Sequence, residues 1–230
     1  MDYIFNGVRE ALKIILSGDA EFVAIVGVSL LIASISTTLA ALSGIPCGVL
    51  VAHKRFPGRD AVITVLNTFM SLPTVVVGLM VYSFLSRRGP CGSLGLLYTR
   101  TAMVIGQWIL AFPIVAGLTV AAVSGLDERI HPTALSLGAD PAQGFRIFLH
   151  EARFGILAAL VAGFGRVFAE VGVSMMLGGN IRGYTRNITT AIALETSKGE
   201  FALAIALGLV LLSVALAINV LFGLFRRKSL

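Results

Sequence analysis

LDERIHPTALSLGADPAQGFRIFLHEAR, residues 126–153, is the most polar run in a chain otherwise composed for lipid. Asp127 suits the cap of a short turn, and Pro132 suits the first turn of a helix through Thr133, Ala134, Leu135, Ser136 and Leu137. Gly138 is placed to end that helix in the left-handed conformation. After Ala139, Asp140 followed by Pro141 reads as a fresh N-cap and first helical residue. Phe145, Phe148 and Leu149 then form an apolar stripe at helical spacing, and the helix continues through HEAR into the next apolar run. A stop and restart within three residues turns the chain sharply while keeping both helices stiff. Two readings follow: a loop helix resting on the bilayer surface, or a rigid protrusion on which a partner in water pushes.

Both sides of this stretch are apolar. The chain has 230 residues, 57% of them hydrophobic and only 13% charged, with a mean hydropathy of +0.91. Soluble domains carry about 25% charged residues, so this composition predicts an integral membrane protein. Five runs, about 22–52, 61–84, 101–123, 154–177 and 201–225, reach the ~20 apolar residues that cross a bilayer core. They are continuous rather than alternating, which excludes a β-barrel. The first contains Pro46 and is longer than a span needs, so it is expected to tilt, kink or protrude. Small-residue stretches such as SISTTLAALSG and GILAALVAGFG allow close helix approach. Pro73 and Pro113 each free a carbonyl in mid-span, as kinks or as lining of a wet path.

The predicted architecture is an all-α membrane protein of five spans. An amphipathic segment (1–21) precedes the membrane domain (22–225), and a basic tail (226–230) follows it. In the first segment Ile4, Phe5, Val8, Leu12 and Ile15 fall near one helical face, too charged around them for a secretory leader and too short to span; an interfacial helix fits. Lys and Arg in the loops divide nine against eight for an N-outside chain, so the C-terminal RRKSL and the HKRFPGRD loop favour a cytoplasmic C-terminus only weakly.

Few residues offer chemistry. Arg166 and Glu170 lie four apart inside the fourth run, where an ionised group costs at least roughly 2.5–3.5 kcal/mol. They are expected to pair, fixing helix packing, or to line a path or gate for an anion. Past the Gly178-Gly179 end of that run, Asn180, Arg182 and Arg186 are placed at its mouth, where arginines are solvated, contact an external protein or attract a dianion. His53, His131 and His150 are isolated, and Cys47 and Cys91 lie far apart without metal-ligand spacing. Asn187-Ile188-Thr189 fits the glycosylation triplet, a pattern frequent by chance. The net charge of +6 is scattered between apolar runs, which argues for topology and an anionic solute rather than nucleic acid.

No G-x-x-x-x-G-K-[ST] occurs, so the chain lacks the phosphate-cradling loop for ATP. A pump of this kind uses an ion gradient or borrows hydrolysis from another subunit. An ion-driven secondary carrier would show internal repeats and matched broken helices, and no repeat stands out. A membrane enzyme would need more catalytic groups than Arg166 and Glu170. Five spans are few to enclose a path, whereas a homodimer supplies ten helices and two docking loops for a two-fold pair of ATPases.

The segment TALSLGADPAQGFRIFLHEAR resembles the cytoplasmic EAA loop of binding-protein-dependent ABC importer permeases. Ala134 and Gly138 match that pattern's second alanine and glycine; Pro132 and Thr133 stand where its glutamate and first alanine would be. SLPTVVVGL, RGPCGSLGLLYTRTAMVIGQ and GRVFAEVGVSMMLGGNIRGYTRNITTAIALE are similar to the tungstate branch of the molybdate–sulfate–tungstate permeases. The resemblance implies a type I permease fold with Thr133, Ala134, Leu135, Gly138, Ala139, Asp140 and Phe145 in the ATPase-coupling loop. It implies a gate near Val173, Met175 and Met176, and an oxyanion, most specifically tungstate, brought by an extracytoplasmic binding protein, with molybdate or sulfate as neighbouring alternatives. ATP and magnesium would sit on the partner ATPase and no cofactor on this chain. The location implied is the plasma membrane of a prokaryote, N-terminus outside and C-terminus cytoplasmic.

Overall fold

The stop and restart at Gly138–Asp140 is built from local hydrogen bonds. In the computed structural model, which describes residues 2–54, 56–127 and 129–227, helix α6 (Ile130–Ser136) ends just before Gly138 at φ +90°. Asp140 then caps α7 (Pro141–Phe168): its carboxylate accepts from Gln143 N at 2.8 Å, and the Gln143 side chain accepts from Asp140 N at 3.0 Å. This reciprocal capping satisfies two amides that a helix start leaves unpaired. From Pro141 the helix runs unbroken into the membrane-spanning region, as the sequence predicts.

The remaining helices are α1 (Asp2–Ser17), α2 (Ala20–His53), α3 (Arg59–Met70), α4 (Thr74–Leu85), α5 (Arg100–Ser124), α8 (Gly172–Gly178), α9 (Ile188–Lys198) and α10 (Phe201–Arg227). A 3-10 turn at Gly92–Leu94 lies between α4 and α5, and no strand occurs among the described residues. Helix α5 is the axis of the bundle, packing against α2, α3, α4, α7 and α8. Its buried residues include Met103, Gln107, Ala111, Val115, Ala116 and Thr119. Ser36 on α2 donates to Val104 O of α5 at 3.3 Å, and the Trp108 indole of α5 donates to Ser43 of α2 at 3.0 Å. Helix α1 packs on α10, with Ala11 fully buried and Ile14 and Ile15 against the same cluster, while Leu12 and Leu16 stay exposed. The side chains of Ile4, Phe5, Val8 and Pro132, and the tail beyond 227, lie outside the described residues.

Two of the five predicted spans are not single helices. The run 61–84 breaks at residues 71–73, where α3 and α4 meet at 97°. Pro73 has no amide proton to give and pushes Leu72 away from helical geometry, so a bend replaces the expected kink. Each half has 12 residues, about 18 Å at 1.5 Å per residue, and falls short of the ~30 Å hydrocarbon core. Four helices are long and apolar enough to cross alone, or five spans if the bent pair counts as one. The predicted run 154–177 likewise ends early: α7 stops at Phe168, and Glu170 lies outside any helix, before α8. Arg166 and Glu170 therefore do not share one helix face.

The bundle has two distinct ends. At the α6 end, Arg59 holds the close of α2, donating from Nε to Val51 O at 2.8 Å and reaching Ser124 Oγ of α5 at 3.4 Å. His53, the last residue of α2, lies against the Phe145 and Phe148 rings of α7, centroids 5.6 and 5.8 Å apart. The start of α2, the start of α5 and the α8–α9 connection gather at the opposite end. There Arg100 donates to Tyr184 O at 2.7 Å, and its guanidinium lies over the Tyr184 ring.

Candidate functional site

Helix α8 is a seven-residue segment held between α4 and α5 by small residues on both neighbours. A Cβ at Gly78 of α4 would sit 2.9 Å from the Met176 sulfur, and one at Gly106 of α5 would sit 2.4 Å from Leu177 Cδ1 and 2.5 Å from Val173 Cγ1. Val173 and Leu177 are fully buried by this fit. Met175 is exposed, on the opposite side.

Glu170 ties α8 at its start. It is 3% exposed, and its carboxylate accepts from Val173 N at 3.2 Å and pairs with Arg166 at 3.4 Å. Its backbone carbonyl accepts from Thr189 Oγ1 at 2.7 Å. The partners are unequal: the Arg166 side chain is 41% exposed. One carboxylate thus meets a helix amide and a cation together, which meets the hydrogen-bonding demand of a buried charge.

Behind α8 lies a neutral polar cluster. Ser174 Oγ accepts from Gln107 Nε2 at 2.9 Å and from Asn187 Nδ2 at 3.1 Å. The Asn187 side-chain oxygen accepts from Thr190 N at 2.9 Å, capping α9, and lies 3.1 Å from Thr189 Oγ1, whose proton goes to the nearer Glu170 carbonyl. Ile188 N donates to Ser29 Oγ of α2 at 2.7 Å. Asn187 is 4% exposed, so the glycosylation triplet is sealed inside the bundle. Its role is to join α2, α5, α8 and α9.

In front of the α8 C-terminus a depression of about 650 Å³ opens, lined by Leu79, Tyr82, Tyr98, Met175, Met176, Gly179 and Ile181. Tyr98 stands at φ +63°, a conformation that costs an L-residue of order 1–3 kcal/mol and persists only where its surroundings impose it. They do. Tyr98 N donates to Leu177 O at 2.9 Å, and its ring lies so close over Gly179 that a Cβ there would be 2.8 Å from Cδ1. Tyr82 and Tyr98 hydroxyls are 3.4 Å apart. That contact, with some burial, holds the Tyr98 phenol above its usual range.

Beyond Gly179, at φ +67°, Asn180 is also left-handed at φ +51°, and its side-chain oxygen is buried without a hydrogen-bond partner. Arg182 and Arg186 then converge on Glu21, at the start of α2. Arg182 grips that carboxylate through both Nε and Nη2. Arg186 meets it at 3.2 Å and lies 4.0 Å from Glu195, which Lys198 also contacts at 2.9 Å. Arg186 is only 13% exposed, so the solvated arginine expected at the mouth is instead a strut. The two arginines share Glu21 and tie the α8–α9 connection to α2, with Arg186 Nε left buried without a hydrogen-bond partner.

The predicted residues therefore fall into two groups at opposite ends. Arg166, Glu170, Val173, Met175, Met176 and Asn180 surround α8, with Arg182 and Arg186 just beyond. In the other group Thr133, Leu135, Gly138 and Asp140 are exposed, Ala134 is buried, and Ala139 and Phe145 are half-buried. Sequence reading passed over Leu137, an apolar group 83% exposed at the tip of α6. It also missed Glu21, Tyr82, Tyr98, Gln107, Ser174 and Asn187 as members of the α8 surroundings. Their signals are polar or aromatic residues within apolar runs, each common singly.

Known proteins are similar to this chain in sequence and in fold. The family described as binding-protein-dependent transport system inner membrane component matches residues 44–229. A tungstate uptake system permease protein, TupB, of Peptoclostridium acidaminophilum is 41% identical over 95% of this chain and 96% of its own. TupB of Campylobacter jejuni is 39% identical over 95% and 92%. A probable anion ABC transporter permease protein of Haloferax volcanii is 38% identical over 90% and 91%. Among solved structures, a bacterial ABC transporter for import of the acidic polysaccharide alginate superposes with a TM-score of 0.77 at 20% identity, covering 99% of this chain and 90% of that one. An inward-facing MetNI methionine ABC transporter gives 0.73 at 21%, covering 90% and 95%. With four to five apolar crossings, a capped helix pair at one end and a family match across most of its length, this chain belongs to the inner-membrane components of binding-protein-dependent transport systems.

Proposed function

We propose that this chain is the permease subunit of an ABC importer for a tetrahedral oxyanion, tungstate in particular. The observation that carries the reading is the 41% and 39% identity, over 95% of the chain, to two tungstate uptake permeases. In this reading an external binding protein delivers the anion at the Arg182 end, and ATP with magnesium is used by cytoplasmic ATPases at the α6 end. Two copies of the chain enclose the path, α1 lies along the outer membrane interface, the N-terminus is outside and the C-terminus is in the cytoplasm. Nucleotide binding shifts an inward–outward equilibrium through contacts that differ between the two states, and α6 with the start of α7 transmits them. The stiffness of the Asp140–Gln143 cap suits that task. Residues 22–225 form the membrane domain and 226–230 a basic cytoplasmic tail. Met175 and Met176, with Val173 behind them, supply the gate.

Cellular uptake of tungsten, molybdenum and sulfate at trace concentrations, with and without the gene, tests the substrate. Loss of tungsten uptake alone is the expected result. Loss of molybdenum or sulfate uptake instead would move the substrate to a neighbouring branch, and no loss of any would end the oxyanion reading.

The coupling loop carries its own test at Gly138. A Cβ there meets nothing within 4 Å, but φ is +90°. Gly138→Ala is expected to cost about 1–2 kcal/mol of folding stability through backbone strain alone. Gly138→Trp should match it in thermal unfolding of the isolated subunit yet retain less ATPase on co-purification, because the added bulk clashes only with a partner. Equal ATPase retention by both variants would remove Gly138 from the dock.

A further inference from the structure

The depression beside α8 has an uncharged lining. Leu79, Met175, Met176, Gly179 and Ile181 bring no side-chain hydrogen-bond donor, and the two phenols of Tyr82 and Tyr98 bring one each. Their oxygens are 3.4 Å apart. Two hydroxyls carry two protons and share a single mutual hydrogen bond, so one O–H is always left without that partner. No carboxylate, amide or other hydroxyl side chain lines the depression to accept it. No cation lines the depression: Arg182 and Arg186 share Glu21, and Arg100, whose charge no carboxylate meets among the described residues, donates to the Tyr184 carbonyl. Glu170, which would repel an anion, is turned away and 3% exposed.

The placement of Tyr98 is imposed by its surroundings. Its left-handed backbone is fixed by the amide bond to Leu177 O at the end of α8, and its ring by the bare Cα of Gly179. Its phenol is thereby held beside Tyr82, with which it makes an edge-to-face ring pair at 6.5 Å. The hydroxyls are therefore anchored directly to the segment that bears Met175 and Met176.

We propose that the Tyr82–Tyr98 hydroxyl pair is a neutral waystation for the oxyanion, donating hydrogen bonds to its peripheral oxygens above the methionines. This rests on the oxyanion reading of the preceding subsection. The chemistry fits a transit site: passage needs binding favourable enough for entry and weak enough for exit. An unpaired arginine would hold a dianion, whereas a phenol donates a hydrogen bond without a net charge. The spare O–H turns to the anion, and the mutual bond breaks if both phenols donate.

The test uses the complete importer in proteoliposomes, with its ATPase and binding protein, and whichever of tungstate, molybdate or sulfate the wild type imports. Tyr82→Phe and Tyr98→Phe keep both rings and remove only the hydroxyls. In the double variant, anion imported per ATP hydrolysed is expected to fall about tenfold, the lower end for losing a hydrogen bond to an ionised acceptor. Binding-protein-stimulated ATP hydrolysis should be unchanged, because the helices still move. Undiminished import per ATP in the double variant overturns the waystation and leaves the oxyanion reading intact. A parallel fall in import and hydrolysis also overturns it, since that would make the phenols packing groups. Wild-type importer that moves none of the three anions refutes the oxyanion reading, and the waystation with it.

Discussion

Gly48→Leu is expected to prevent the subunit from accumulating in folded form. Gly48 lies where α2 crosses α5: even a Cβ there would be 2.6 Å from Ala116 O and 2.7 Å from Thr119 Cβ. Gly44, one turn earlier, would place a Cβ 3.2 Å from Ala116 N and Phe112 O. The obstacles are mainly backbone and Cβ atoms of a buried helix, which cannot rotate aside, so any side chain must drive the helices apart. In lipid such close approach is itself a large part of the association energy. Overpacking by single methyls costs about 1–3 kcal/mol, so Gly48→Ala should lower the thermal midpoint of the purified subunit and Gly48→Leu should abolish the folded species. Gly27→Ala, also in α2 but with nothing within 4 Å of its added Cβ, serves as the control and should be neutral or slightly stabilising. Wild-type stability for Gly48→Leu would mean that the α2–α5 crossing is not packed as described.

Glu170→Ala is expected to have the second-largest effect, and Glu170→Gln a much smaller one. The alanine leaves Val173 N without its acceptor in a buried setting, a loss of about 1–3 kcal/mol, and removes the partner of Arg166. Breaking a fully buried pair costs about 3–5 kcal/mol; with Arg166 41% exposed, solvation of the arginine reduces that contribution. The sum is expected near 2–4 kcal/mol by unfolding of the purified subunit. Glutamine keeps an acceptor for Val173 N and forfeits only the charge. If capping dominates, Arg166→Ala will cost much less than Glu170→Ala; equal costs would make the ion pair the principal contribution. A double-mutant cycle gives the coupling directly.

What the sequence discloses follows from where each decision is made. The Gly138–Asp140 turn was legible because its causes lie within four residues: a glycine free to turn left-handed, an acceptor and a proline. The bend at Pro73 was legible as a disturbance but not as 97°, since proline removes one hydrogen bond and packing sets the angle. The break at residues 169–171 gave no local warning. FAEVG contains no proline, and the Glu170 carbonyl left outside the helices is met by a hydroxyl 19 residues away, that of Thr189. The pairing of the mouth arginines was not legible for the same reason: Glu21 and Arg182 are 161 positions apart, and no periodicity connects them. The residues around α8 were partly found because a charge in an apolar run stands out, whereas tyrosines and serines there do not.

Helix α2 has 34 residues, close to 50 Å at 1.5 Å per residue. Its first turn holds Glu21 against Arg182 and Arg186, and its last residue rests on Phe145 and Phe148. One continuous helix thus touches both faces of the bundle, and its closest crossing with α5, at Gly44 and Gly48, lies much nearer the α6 face. Ser36 and Ser43 bind it to α5 on the longer side of that crossing, so a substitution that displaces α2 at Gly48 also strains contacts at both faces.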